Sequence, residues 1–191
     1  MNKCQTDNSF FTDKVNLRLR HLPDKKHIRV LEAYCGDGKI WNEIKTKTNK
    51  QIDILRVDKK ENSKGVYLIG DNRKYLMSLN LGQYDIIDLD AYGVPFSQLE
   101  IIFDYFDKIN NTRGVVCFVT FIQTMFGCLP KKMLYSVGYS RAMIEKCPAL
   151  FYMKGFEKFK RYLYLRGVRH ISSMSAGRKH YLYFKINGEG K

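Results

Sequence analysis

The sequence predicts an α/β fold built on one mostly parallel sheet, and three observations carry that expectation. Short apolar, β-rich runs alternate with stretches of helical periodicity, the pattern left by right-handed βαβ crossovers. Glycine or aspartate stands within two residues after each of the first four runs, where an open parallel sheet binds its ligands. The last two runs have no helix between them and should pair as an antiparallel hairpin. The chain's 191 residues suit a single domain of this kind.

The elements follow in order. Residues 27–34 (HIRVLEAY) form the first strand and run into Cys35-Gly36-Asp37-Gly38. Ile40, Trp41 and Ile44 then mark a helix over 39–48. Strands follow at 52–57, ending in Asp58, and at 66–69, ending in Gly70-Asp71-Asn72, with a short helix over 73–80. The fourth strand is 84–89. Ser97 is placed to cap a helix carrying Leu99, Ile102, Phe103, Phe106 and Ile109 on one face. The run GVVCFVTF at 114–121 reads as a buried strand. Helices over 140–146 and 152–166 precede the closing strands at 168–174 and 181–186, making seven strands in a Rossmann-like arrangement with helices on both faces.

Composition excludes several classes. Hydrophobic residues at 45% and charged residues at 27% are those of a globular chain. No apolar run approaches the ~18–20 residues of a membrane helix, and the N-terminus lacks the apolar core of a secretory signal. Five cysteines, an odd number without CxxC spacing, read as reduced cytosolic thiols with no disulfide frame. The four histidines form no HxxxH or HxE pair, so no metal centre is expected. The 33 basic and 19 acidic residues leave a net charge of +14, which points to a polyanionic partner, nucleic acid before acidic membrane.

That charge is uneven. Residues 131–180 hold twelve basic and two acidic side chains, whereas residues 31–130 hold twelve and thirteen. A solvated lysine-rich surface would recruit acids as well; fifty residues with only Glu145 and Glu157 read more readily as a contact surface. The chain divides accordingly into a basic, aromatic arm (1–26), a nearly neutral part carrying the strand-end acids (27–130), and basic helices with the closing hairpin (131–191).

The glycine loop tests two nucleotide-binding patterns and fits neither. A dinucleotide fingerprint needs a small residue three after its second glycine, where this chain has Trp41. A P-loop needs Gly-Lys-Ser/Thr, where Gly38-Lys39 is followed by Ile40. Alone the loop could be a structural turn. Asp58, twenty residues after Gly38, is placed to accept both hydroxyls of a ribose, and Asp71 could accept from an adenine amine, although each could also be a turn residue.

Taken together these motifs resemble the class I S-adenosylmethionine-dependent methyltransferases over roughly residues 28–186. VLEAYCGDG is similar to that family's glycine-rich first motif. The resemblance implies that S-adenosylmethionine is the cofactor, held by Glu32, Cys35, Gly36, Gly38, Asp58, Asp71, Asn72 and Asp88. The fourth strand and its exit, YDIIDLDAYGVPF, resemble the amino-methyltransferase motif (D/N/S)PP(Y/F). More narrowly, DLDAYG resembles the DLDPYG-type run of tRNA guanine-N2 dimethyltransferases, with Ala91 in place of the proline. Val119-Thr120-Phe121 and Phe126-Gly127-Cys128 are similar to that family's segment after the fifth strand, while its separate C-terminal domain has no counterpart in this sequence.

Strand alternation puts Asp88 and Asp90 on one side of the fourth strand. Asp85 reads as a surface or turn acid, and Asp88 as either a structural hydrogen-bond hub or a site residue. An exocyclic base amine is a poor nucleophile because its lone pair is delocalised. A carboxylate accepting one N–H returns density to nitrogen, so Asp90 is the expected catalytic acceptor and Tyr92 the stacking partner of an extruded base. The basic flanks supply the expected grip on phosphates, Lys154, Lys158 and Arg161 on the 152–166 helix and Arg18 in the arm, while the resemblance to the tRNA enzymes implies that Phe10 or Phe11 lies against the target base.

The function expected is therefore methyl transfer to an exocyclic base amine of nucleic acid, RNA more than DNA. A non-catalytic nucleic-acid-binding protein on a decayed methyltransferase fold and a DNA amino-methyltransferase remain as alternatives.

Overall fold

The computed structural model describes residues 10–59, 67–109, 114–123, 129–148 and 153–186. The apolar runs become β1 (His27–Glu32), β2 (Gln51–Asp58), β3 (Tyr67–Ile69), β4 (Ile86–Leu89), β5 (Val115–Ile122), β6 (Ile171–Ala176) and β7 (Lys179–Ile186). They form one seven-stranded sheet in the order β3-β2-β1-β4-β5-β7-β6. The first five strands are parallel, whereas β7 is antiparallel to both β5 and β6. The closing hairpin thus inserts its second strand against β5.

Helices cover both faces, which is why the central strands are apolar on both sides. On one face α1 (Phe11–Arg20) and α2 (Lys39–Lys47) bury Val15, Trp41 and Ile44 against Ile28, Val30, Ile86 and Phe118. On the other face lie α3 (Asn72–Ser78), α4 (Phe96–Ile109), α5 (Lys131–Ser136), α6 (Arg141–Lys146) and α7 (Gly155–Leu165). Their side chains, among them Leu76, Phe103, Met133 and Phe159, pack on Leu31, Ile87, Cys117 and Phe184.

Four expectations are corrected. Residues 11–20 are a helix rather than an arm, because Phe11, Val15 and Arg18 recur at helical spacing and turn toward the sheet. Helix α5 was not anticipated; with six residues, of which Met133 and Leu134 are buried, it is too short to show a period. Helix α4 begins at Phe96, so Ser97 lies inside it, and the Pro95 carbonyl accepts the Leu99 N–H that starts the ladder. Asp85 is buried, accepting from Lys25 Nζ at 2.6 Å and from the Arg29 N–H at 2.9 Å. Val66, Phe126-Gly127-Cys128 and Tyr152 lie outside the described residues. Among the described residues no helix is long and apolar enough to cross a membrane, and no three His, Cys, Asp or Glu side chains cluster as a metal site.

Candidate functional site

A pocket opens at the carboxyl ends of β1, β2, β4 and β5, closed on one side by α1 and the start of β7. Its floor is the loop after β1. Gly36 and Gly38 adopt φ values of +49° and +65°, a left-handed conformation that favours glycine. A Cβ on Gly38 would also meet Arg56 Nε at 2.9 Å. The Gly36 N–H donates to Asp58 Oδ2 at 2.9 Å, joining the loop to the end of β2. Cys35 and Gly36 line the pocket with Asp58, while Gly38 stands behind them as the cap of α2. Burial, with Glu32 and Asp58 nearby, pushes the Cys35 thiol up to about 12, so it is no nucleophile.

Glu32 lies beneath the loop, paired with Arg56 Nε at 3.1 Å, and Arg56 also donates to Asn42 Oδ1 at 2.6 Å. Burial and the neighbouring Asp88 carboxylate push the Glu32 carboxyl up to about 8, outweighing the pull of Arg56 in the other direction.

The acids of β4 face α1, as alternation requires. Asp88 is committed to structure: its carboxylate accepts from Arg18 Nε at 2.6 Å, Arg18 Nη2 at 2.8 Å and Trp41 Nε1 at 2.7 Å. Two residues on, Asp90 lines the pocket and accepts from Lys14 Nζ, at 2.9 Å to Oδ2 and 3.1 Å to Oδ1, and from the Thr120 hydroxyl. Lys14 and Arg18 are one helical turn apart and meet acids two strand residues apart, which sets α1 antiparallel to β4. Tyr92 follows at the rim, 80% exposed.

The sequence expectations sort clearly against this geometry. Glu32, Cys35, Gly36, Asp58, Asp90, Tyr92 and Phe11 come together in the pocket. Phe10 is exposed beside it, its ring 6.4 Å from that of Tyr181, another lining residue. Asp88 is the structural hub of its two readings, and Arg18 is a correction: buried on Asp88, it has no surface to offer a phosphate. Asp71 is also displaced, capping α3 through the Arg73 N–H and pairing with the Arg73 guanidinium, which holds its carboxyl down at about 2. Asn72 is buried, donating to the Ala33 carbonyl at 2.8 Å and accepting from Gln98 at 3.0 Å. Neither Asp71 nor Asn72 lines the pocket.

Of the basic flank, Lys154 and Arg161 are exposed, and Lys158 turns back to donate to the Met153 carbonyl at 2.6 Å. Helix α7 starts at the pocket's end of the sheet, since Phe156 stacks on His180 at 3.8 Å, next to Tyr181. The sequence reading missed Thr120 and Tyr181 as lining residues and Lys14 as the partner of Asp90. The helical spacing of Phe11, Val15 and Arg18 was the one available signal for Lys14.

Comparison with solved structures places the fold. A SAM-dependent methyltransferase from Aquifex aeolicus superposes with a TM-score of 0.51 at 11% identity, over 95% of this chain and 94% of that one. A candidate ribosomal RNA methyltransferase from Plasmodium falciparum gives 0.53 at 16% identity, over 92% and 95%. A candidate class I S-adenosylmethionine-dependent methyltransferase from Listeria monocytogenes gives 0.51 at 15% identity, over 95% of this chain but 60% of that one. At these identities the likeness establishes the fold alone: the Rossmann-like arrangement that these methyltransferases share, with a mostly parallel seven-stranded sheet and an antiparallel closing pair. No protein-family model matches the chain, and no curated protein matches it significantly.

Proposed function

We propose that the protein is an S-adenosylmethionine-dependent methyltransferase acting on an exocyclic base amine of nucleic acid, RNA before DNA, with a guanine N2-like amine as the narrowest reading. The observation that carries it is that Asp58, at the end of β2, and Asp90, just after β4, line one pocket on either side of β1 in a fold that known methyltransferases share.

The residues present fit the cofactor. Asp58, on the pocket wall at the end of β2, would take the ribose hydroxyls. The left-handed turn at Gly36 and the buried thiol of Cys35 leave backbone for the amino-acid end to approach. The cofactor supplies an electrophilic methyl group. The chain supplies the acceptor's seat: a carboxylate has roughly four acceptor positions. Lys14 takes one on each Asp90 oxygen and Thr120 a second on Oδ1, which leaves Oδ2 one position for a single N–H of an incoming amine. Tyr92 and Phe11 offer ring faces to a base taken out of its stack. The exposed cations Lys154, just before α7, and Arg178, at the turn before β7, stand toward the same end of the sheet, and with Arg161 further along α7 they would hold phosphates.

Calorimetric titration with S-adenosylmethionine, followed by transfer of labelled methyl to bulk RNA and to DNA, tests the reading. Binding with label on RNA amines is the result expected. Binding without transfer to either polymer would favour a nucleic-acid-binding protein on this fold, and no binding would end the enzyme reading.

A further inference from the structure

We propose that Lys14 of this chain is itself an acceptor, and that the protein methylates its own Lys14 Nζ; this rests on the reading of the pocket as a S-adenosylmethionine site. Beside the position left for an incoming amine, the Asp90 carboxylate already holds one. Lys14 Nζ touches both oxygens of Asp90, at 2.9 Å and 3.1 Å, in the pocket that Gly36 and Asp58 also line. The pair is largely shielded, with 9% of the Lys14 side chain and 15% of the Asp90 side chain exposed. The Tyr181 ring lies under the ammonium at 5.2 Å to its centroid, a second contact that a methylammonium would keep.

The amine is also held in place from below. One turn on, Arg18 is locked into the core by Asp88 and Trp41, so α1 cannot swing Lys14 out without breaking a buried ion pair. Proximity of this kind turns a bimolecular encounter into an intramolecular one. An alkyl amine is moreover a far stronger nucleophile, once neutral, than a base amine with a delocalised lone pair. In the transfer, Lys14 Nζ first loses one proton to solvent through the open mouth at Tyr92. Its freed lone pair then takes the methyl carbon, and the carbon–sulfur bond breaks with its electron pair left on sulfur as a neutral thioether. The resulting methylammonium keeps its charge and its ion pair with Asp90.

The test uses the full chain with S-adenosylmethionine carrying a trideuterated methyl group and no nucleic acid. Tandem mass spectrometry locates the label, and calorimetry on the same preparation measures cofactor binding. The result expected is label on Lys14, approaching one per chain, absent in Lys14→Arg, which keeps a cation beside Asp90. Unlabelled methyl already on Lys14 of the purified protein, and reduced in Asp58→Ala, counts the same way. If the protein binds S-adenosylmethionine but the label is missing from Lys14 or falls on Lys39 instead, the inference is overturned and the cofactor reading stands. If the protein does not bind S-adenosylmethionine, both are overturned.

Discussion

Arg18 and Asp88 meet in the core as a two-point ion pair, Nε to Oδ2 at 2.6 Å and Nη2 to Oδ1 at 2.8 Å, with side chains 2% and 1% exposed. Seventy residues separate them in sequence, so the pair fixes α1 on β4. Trp41 Nε1 adds a third donor from α2, which joins both helices of this face to one carboxylate. The pair lies directly beneath Lys14 and Asp90, and the position of the pocket wall depends on it.

Removing one partner should therefore cost more than removing both. Arg18→Met leaves the Asp88 charge buried with only the indole as donor, and should destabilise the fold by about 3–5 kcal/mol. The double variant Arg18→Met/Asp88→Leu should recover much of that loss, because no uncompensated charge remains. Denaturant unfolding of the two singles and the double measures the coupling. Additive losses would mean that the pair is not a strut between α1 and β4.

Glu32 gives the fold a pH signature. Its carboxyl is pushed up to about 8 by burial and Asp88, against an ordinary value of 4.5 in the unfolded chain. Between those values the folded protein binds a proton that the unfolded chain has released, so stability falls as pH rises through the window and levels off above about 8. The slope has a ceiling of about 1.4 kcal/mol per pH unit. Glu32→Gln should flatten it, so the stability gap between wild type and variant changes in the variant's favour from pH 5 to pH 8. Parallel unfolding curves across that range decide it; an unchanged gap would mean that Glu32 is ionised with Arg56 throughout.

Asp58 should govern cofactor affinity. Asp58→Ala removes the proposed ribose acceptor and the partner of the Gly36 N–H, and should weaken S-adenosylmethionine binding by about 1.5–3 kcal/mol, the value of a charge-assisted hydrogen bond. Asp58→Asn keeps an oxygen for Gly36 and should lose less. Calorimetry on the three proteins orders them, and equal affinities would remove Asp58 from the cofactor site.

Asp90 should govern turnover instead. Asp90→Ala should lower methyl transfer to nucleic acid by orders of magnitude with cofactor affinity nearly intact, because the carboxylate stands on the acceptor side of the pocket. Asp90→Asn retains an acceptor oxygen and the Thr120 contact, and should keep partial activity. Single-turnover rates, measured beside binding constants, separate this outcome from a general loss of structure.

What could be read from the sequence was whatever depends on local pattern. The βαβ alternation, the loop Cys35-Gly36-Asp37-Gly38 and the shared side of Asp88 and Asp90 follow from spacing alone, and the structure has them. What could not be read depends on which partner a charge finds across the fold. Arg18 and Asp88 look, in sequence, like a phosphate contact and a candidate site acid, and only the docking of α1 makes them each other's partner. Asp71 has the right position after β3, but Arg73, two residues on, captures it. Lys14 reads as one cation among 33 basic residues, and the helical spacing of Phe11, Val15 and Arg18 is the one local sign that it turns inward. Thr120 and Tyr181 lie in apolar strands whose composition does not distinguish a wall of the pocket from the core.

The basic flank makes the last prediction. Lys154, just before α7, and Arg161, within it, are exposed, and the helix begins beside the end of β5 that lines the pocket, where Phe156 stacks on His180. Phosphate contacts position a nucleic acid without choosing its sequence, so these cations should add affinity for RNA but not select the base. Each true contact contributes roughly −0.7 to −0.9 to the slope of log affinity against log salt. The variant Lys154→Ala/Arg161→Ala should bind RNA more weakly, with a slope shallower by about 1.4–1.8. Adding Lys158→Ala should change the slope less than a full further contact, because Lys158 already donates to the Met153 carbonyl. Cofactor affinity should not move, since none of the three lines the pocket. Fluorescence titrations at several salt concentrations give the slopes directly. A wild-type slope in the triple variant would show that α7 presents only a solvated surface, and would move the search for the RNA contact to the exposed Arg20 and Arg178.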